Sequence, residues 1–161
     1  MKRLAAMWTA GAMAAAAPAT PPPSVSARNG QAVVEGGQLI FVFDLLATSA
    51  EALSVRSVDY SVSLEGASLF AGQAQGFSMP AHAERSVSVA GFGEPQRALA
   101  VLDRIEGSQK FSWRVRGTLH AVSAAGIALE VPFSSSDVAQ TPEIQHERTA
   151  QAALSHSLLN Y

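Results

Sequence analysis

An antiparallel β-sandwich is the fold class this sequence predicts, on three observations. Apolar and polar residues alternate over much of the stretch from about Gln31 to Gln140, the period of a strand with one buried face. Turn residues punctuate that stretch at short intervals, at Gly36-Gly37, Thr48-Ser49-Ala50, Gly66, Gly72, Pro80, Gly107 and Gly126. Only one segment inside it has a helical period. Six or more short strands and one short helix in roughly 110 residues belong in two packed layers of sheet.

The elements follow in order. Residues 20–30 (TPPPSVSARNG) are Pro/Ser-rich and predict an extended linker. Leu39 to Leu46 (LIFVFDLL) is apolar on both faces except at Asp44, so it predicts a strand that is central or covered on both sides. Val58, Tyr60, Val62 and Leu64 alternate with Asp59, Ser61, Ser63 and Glu65, and Gly66 ends that strand. Val87 and Val89 mark a shorter strand. Pro95 suits the first turn of a helix, Leu99, Leu102 and Ile105 recur three apart as its apolar stripe, and Gly107 stops it. Phe111, Trp113, Val115, Gly117 and Leu119 alternate with Ser112, Arg114, Arg116, Thr118 and His120. Ile127, Leu129, Val131 and Phe133 form the last set. Residues 141–161 predict a helical or disordered tail: Thr141 can cap, Pro142 can take the first position, and Ala150, Ala152 and Ala153 favour helix.

The N-terminus predicts export. Lys2 and Arg3 precede an uncharged, mostly apolar run from Leu4 to Ala17, and Ala17-Pro18-Ala19 has the small-residue form of a cleavage site. The run is shorter than the roughly 18 residues that cross a bilayer as a helix; an uncleaved N-terminal anchor is the alternative. The predicted organisation is a signal peptide over 1–19, a linker over 20–30, a sandwich over 31–140 and a tail over 141–161. A periplasmic or secreted location follows.

Composition narrows the chemistry. The 161 residues are 48% hydrophobic and 15% charged, with a formal net charge of −2. That supports a packed core and gives no basic excess for a phosphate backbone, so no nucleic-acid partner is expected. With no cysteine, disulfides, thiolate nucleophiles and cysteine metal sites are excluded. His82, His120, His146 and His156 are scattered, without the spacing of a metal motif. No serine sits in a nucleophile motif, and Ser134-Ser135-Ser136 is expected as a polar loop. Gly72 to Gly76 lacks the Lys-Ser/Thr of a phosphate loop and is expected as a connection between strands. Asp44 is either a buried acid or, with more weight, a strand-end residue bonded to backbone or to an arginine. Arg114 and Arg116 project from one strand face; they suit an anionic group, while a solvated face that discourages edge pairing is the plainer expectation. No catalytic residue, cofactor site or metal site is assigned.

Several segments together resemble a family. Phe41-Val42-Phe43-Asp44-Leu45 is similar to the first strand of the late embryogenesis abundant type 2 family, also called the WHy (water stress and hypersensitive response) domain. Val58 to Gly66 (VDYSVSLEG) resembles its strand-and-turn motif, and Gly72 with Met79-Pro80-Ala81 resembles the segment after it. Trp113 to Leu119 (WRVRGTL) and Leu129 to Ser134 (LEVPFS) resemble its later strands. The resemblance covers about Gln31 to Asp137, with one departure: Ala47-Thr48 stands where the family usually carries Asn-Pro. It implies an immunoglobulin- or fibronectin-like sandwich, a link to desiccation and other stress, and no catalytic residues. The expected function is therefore an exported, monomeric, non-catalytic protein acting by contact under water stress. An accessory or assembly module of a cell-envelope complex is the alternative, and a small hydrolase a more distant one.

Overall fold

The computed structural model describes residues 20–142. The expected signal peptide and all but the first two residues of the expected tail lie outside the described residues. Seven strands and one helix follow one another: β1 (Ser24–Glu35), β2 (Gln38–Ser49), β3 (Leu53–Leu64), β4 (Ala67–Met79), β5 (Ala83–Phe92), α1 (Pro95–Ile105), β6 (Lys110–Ser123) and β7 (Ala128–Gln140). They build the all-β sandwich the sequence predicts. One sheet has the order β1-β2-β5 and the other β4-β3-β6-β7, with every pairing antiparallel.

Local chemistry sets the register. Glu35 pairs with Gln38 across Gly36-Gly37, both at positive φ, the mirror-image two-residue turn that matches strand twist. Glu65-Gly66 does the same between β3 and β4. In β6 the alternation is strict: Phe111, Trp113, Val115 and Leu119 are buried, and Arg114 and Arg116 are exposed. Phe41 and Phe43 of β2 pack against each other, Phe41 meets Trp113, and Phe43 meets Tyr60 across the sandwich. Leu39, Val62, Leu64, Leu69 and Val115 complete the centre of the core.

The helix carries the chain from the first sheet to the second. Pro95 opens it, Gly107 follows it in the left-handed region, and the N–H groups of Glu106 and Ser108 close its end on the carbonyls of Leu102 and Ile105. Its buried side is Ala98, Val101 and Ile105, whereas Leu99 is 54% exposed. Of the predicted stripe, Ile105 is buried and Leu102 packs against the core, and Leu99 alone lies off the buried side. Ala98 and Val101 fit the 3.6-residue period equally well, and the closer approach to the sheets favours the smaller residues.

Other expectations also need correction. The linker expected over 20–30 is largely strand: Ser24 pairs with Thr48 and Ala27 with Leu45, so the sandwich begins at Ser24 rather than Gln31. A bulge between Arg28 and Gln31, with Asn29 at positive φ, breaks the alternation that marks a strand in sequence. Where the family usually carries Asn-Pro, Ala47-Thr48 stays in β2, paired with β1 and β5. Residues Gly72 to Gly76 are not a connection but the middle of β4. A Cβ on Gly72 would meet the Tyr60 hydroxyl at 2.6 Å and its ring at 2.9 Å, and one on Gly76 would meet the Val55 and Arg56 carbonyls beside the β3 bulge. Close approach, not turning, uses those glycines. Ser134–136 lie within β7, while Ile127 precedes it and is 60% exposed. The N–H of Ala27 donates to Ser135 Oγ at 2.8 Å, tying β1 to β7 across the two sheets.

Candidate interaction surface

Two places on the described surface combine shape with a distinct chemistry. The first is an apolar groove of about 360 Å³ at the start of α1. The end of β5 brings Phe92, the β1–β2 turn brings Gly37 and Gln38, and α1 brings Pro95, Leu99 and Leu102. Phe92 is 65% exposed and Leu99 54%. A helix packed on its Ala98–Val101–Ile105 side holds Leu99 away from the core, beside the strand end that also leaves Phe92 uncovered.

The second is the outer face of the four-stranded sheet. Strict alternation in β6 places Lys110, Ser112, Arg114, Arg116, Thr118 and His120 on it. Arg114 stands between Ser63 of β3 and Ser136 of β7, and Arg116 between Ser61 and Ser134. At the other end His120 Nε2 lies 2.9 Å from Asp59 Oδ2, and its Nδ1 lies 3.5 Å from Glu130 Oε1. Gln73 donates to Asp59 Oδ1 at 2.7 Å. The Gln73 bond first and the His120 bond second hold the Asp59 carboxyl below its ordinary range.

The sequence-level candidates are distributed as follows. Asp44 fits neither of its two readings: it is mid-strand and half-buried, and it accepts from Ser88 Oγ at 2.6 Å and Asn29 Nδ2 at 2.9 Å. Those two bonds, Ser88 first, lower its pKa. β2 is the central strand of its sheet, yet Ile40, Val42 and Asp44 on its outer side are only half-buried. Trp113 points into the core, 3% exposed. His82 sits at positive φ between β4 and β5, and His146 and His156 lie outside the described residues.

The fold joins His120, Asp59 and Glu130, which sequence spacing did not connect; only the pairing of β3 with β6 and of β6 with β7 brings them together. Both ring nitrogens of His120 face carboxylates, which leaves neither for a serine nucleophile. Among the described residues no group of three or more His, Asp or Glu is placed to hold a metal ion.

Comparison with known proteins agrees with this architecture. The solution structure of AT1g01470 from Arabidopsis thaliana superposes with a TM-score of 0.65 at 12% identity, covering 79% of this chain and 87% of that one. The LEA-like protein At2g46140.1 gives 0.59 at 9% identity, covering 77% and 74%. A protein from Archaeoglobus fulgidus gives 0.50 at 14% identity, covering 73% and 95%. At such identities the likeness is one of fold. No curated protein sequence matches the chain. The family model described as late embryogenesis abundant protein, LEA_2, matches residues 49–137, which takes in every motif noted above except Phe41 to Leu45. With more than half of the chain inside that match and LEA-like proteins among its structural neighbours, the chain belongs to the LEA_2 late embryogenesis abundant family.

Proposed function

We propose that this chain is an exported, non-catalytic sandwich that limits damage to other proteins during water loss by surface contact. Family membership supports the desiccation setting, and the Lys2-Arg3 pair with its following apolar run supports export and removal of residues 1–19. Among the described residues, no helix is long and apolar enough to cross a membrane. The observation that carries the contact reading is the groove beside α1, where Phe92 and Leu99 stay exposed together while Phe41, Phe43, Phe111 and Trp113 are buried. An exposed apolar concavity rimmed by polar groups receives apolar side chains. Partly unfolded neighbours supply such side chains as water is withdrawn.

The test is to dry a labile reporter enzyme with the chain, with its Phe92→Ser/Leu99→Ser variant, and with an unrelated sandwich of equal charge and mass. The reading expects best recovery with the wild-type chain and recovery near the unrelated control with the variant. Equal recovery from all three overturns it, leaving only excluded volume. The second reading, an assembly module of a cell-envelope complex, is favoured by the groove being one concave place rather than a dispersed surface. It expects a stoichiometric complex lost in the same variant, with no effect on the dried reporter.

A further inference from the structure

We infer that the outer face of the four-stranded sheet carries an anion site in which Arg114 and Arg116 hold a phosphate-type oxyanion between flanking serine hydroxyls. The two arginines sit two residues apart on one face of β6, about 7 Å between Cα atoms. Both are exposed. In a central strand each has a directly opposed residue on both sides, and all four of these are serine: Ser63 and Ser136 for Arg114, Ser61 and Ser134 for Arg116. Ser112 extends the row beside Arg114. A depression of about 320 Å³ opens at Arg114, lined by Ser63, Ser112 and Ser136. The surface therefore has shape as well as charge.

The disposition of the nearby carboxylates singles out this pair. A guanidinium pairs readily with a carboxylate in a two-bond fork; of the acids on this face Glu130 faces His120, and three others border the row. Asp59 is engaged on both oxygens, by Gln73 and His120. Glu65 accepts from the Ser112 N–H. Asp137, at the rim of the depression, accepts from the Val138 N–H at 2.8 Å. Asp59 is thus engaged on both oxygens and Glu65 and Asp137 on one each, and among the described residues the ion pairs involve Arg97 and His120 but neither Arg114 nor Arg116. Two like charges held side by side without a counter-charge are disfavoured in isolation. A tetrahedral oxyanion removes that cost, because it can accept guanidinium N–H groups and serine hydroxyls together. Lys110, four residues before Arg114 on the same face, extends the positive potential along the strand.

The chemistry is shared by free phosphate and by a phosphoryl headgroup, and the experiment separates them. In one arm the full chain is titrated with inorganic phosphate at constant ionic strength, following the arginine Nε–H resonances. In the other, the full chain is sedimented with phosphatidylcholine vesicles with and without phosphatidylglycerol. Arg114→Gln/Arg116→Gln is the test variant, and Arg28→Gln/Arg97→Gln, with Arg28 on β1 and Arg97 on α1 facing Glu94, is the charge-matched control. The N-terminal apolar run is common to all three, so only differences between them count. A free-ion site gives saturable shifts at Arg114 and Arg116, weakened about tenfold or more by the test variant and unchanged in the control. A headgroup site gives sedimentation that requires phosphatidylglycerol and falls in the test variant alone. Absence of saturable shifts together with equal sedimentation of wild type and test variant overturns the proposal. Equal weakening by the control also overturns it, since diffuse charge would then be the cause.

Discussion

Replacing Trp113 by alanine is the most direct probe of the strand register on which both surfaces depend. The indole is 3% exposed and lies 5.8 Å from the Phe41 ring, centroid to centroid. A tryptophan buries roughly 150–250 Å². At about 25 cal/mol per Å² that corresponds to roughly 4–6 kcal/mol. Residual compactness of the unfolded chain lowers the figure to ~3–5 kcal/mol, in line with other large-to-small core substitutions. Arg114→Ala, one residue on and facing water, should cost less than about 1 kcal/mol. Gly30 supplies a second, independent constraint: a Cβ there would meet Trp113 Cε2 at 2.5 Å and Phe41 Cζ at 2.7 Å. Gly30→Ala should therefore cost ~1–3 kcal/mol by overpacking. In the Trp113→Ala background it should cost less, with a coupling of about 0.5–3 kcal/mol. Urea unfolding followed by far-ultraviolet circular dichroism measures all four corners of the cycle. Equal small losses from Trp113→Ala and Arg114→Ala would mean that β6 is placed in the wrong register. A Gly30→Ala cost that is the same in both backgrounds would remove Gly30 from the indole's surroundings.

Three further predictions concern other parts of the molecule. Because hydrogen bonds from Ser88 and Asn29 lower the Asp44 pKa, the stability they supply is complete above the ordinary aspartate pKa of about 4. It drains away as pH falls through the lower folded value, so Asp44→Asn should flatten the acid side of the stability profile and leave its slope near neutrality unchanged. Gly117→Ala should destabilise by at least about 2 kcal/mol in the same urea assay, because its Cβ would press on the Asp59 carbonyl and the Phe133 ring. Intact mass of the protein recovered from the cell exterior or envelope should place the new N-terminus near Thr20; a full-length chain retained in the membrane would favour the anchor.

What the sequence revealed, and what it hid, follows from the reach of each signal. In β6 one face is dry and the other wet, so a period of two named Trp113 as core and Arg114 and Arg116 as surface without any knowledge of partners. The turns at Gly36-Gly37 and Gly66 were equally plain, since positive φ there is a local demand. Features set by neighbours were not legible. Gly72 looks like a turn until Tyr60 is known to lie over it. Ser134–136 look like a loop because β7, at the edge of its sheet, need not alternate with apolar residues on both sides. The His120–Asp59–Glu130 cluster and the serine rows beside the arginines are products of cross-strand register, which a single sequence does not display. Phe92 and Leu99 were visible as apolar residues, but their exposure depends on which side of α1 meets the sheets.

The bond from Ala27 to Ser135 joins residues 108 positions apart, and this has a consequence for how the domain comes together in time. The β1–β2 and β3–β4 hairpins close over two-residue turns and need only nearby chain. Bringing β1 to β7 carries a length-dependent loop-closure cost of roughly 4 kcal/mol by chain statistics. Assembly dominated by such distant pairings is slow, on the order of milliseconds to seconds. Until β7 arrives, β1 lacks its partner across the sandwich and β6 lacks its outer neighbour. A nascent or threading chain that has not yet delivered its last strand is therefore a set of hairpins with the Ala27 N–H and the outer edge of β6 unpaired, and the finished domain appears only once the last strand is in place.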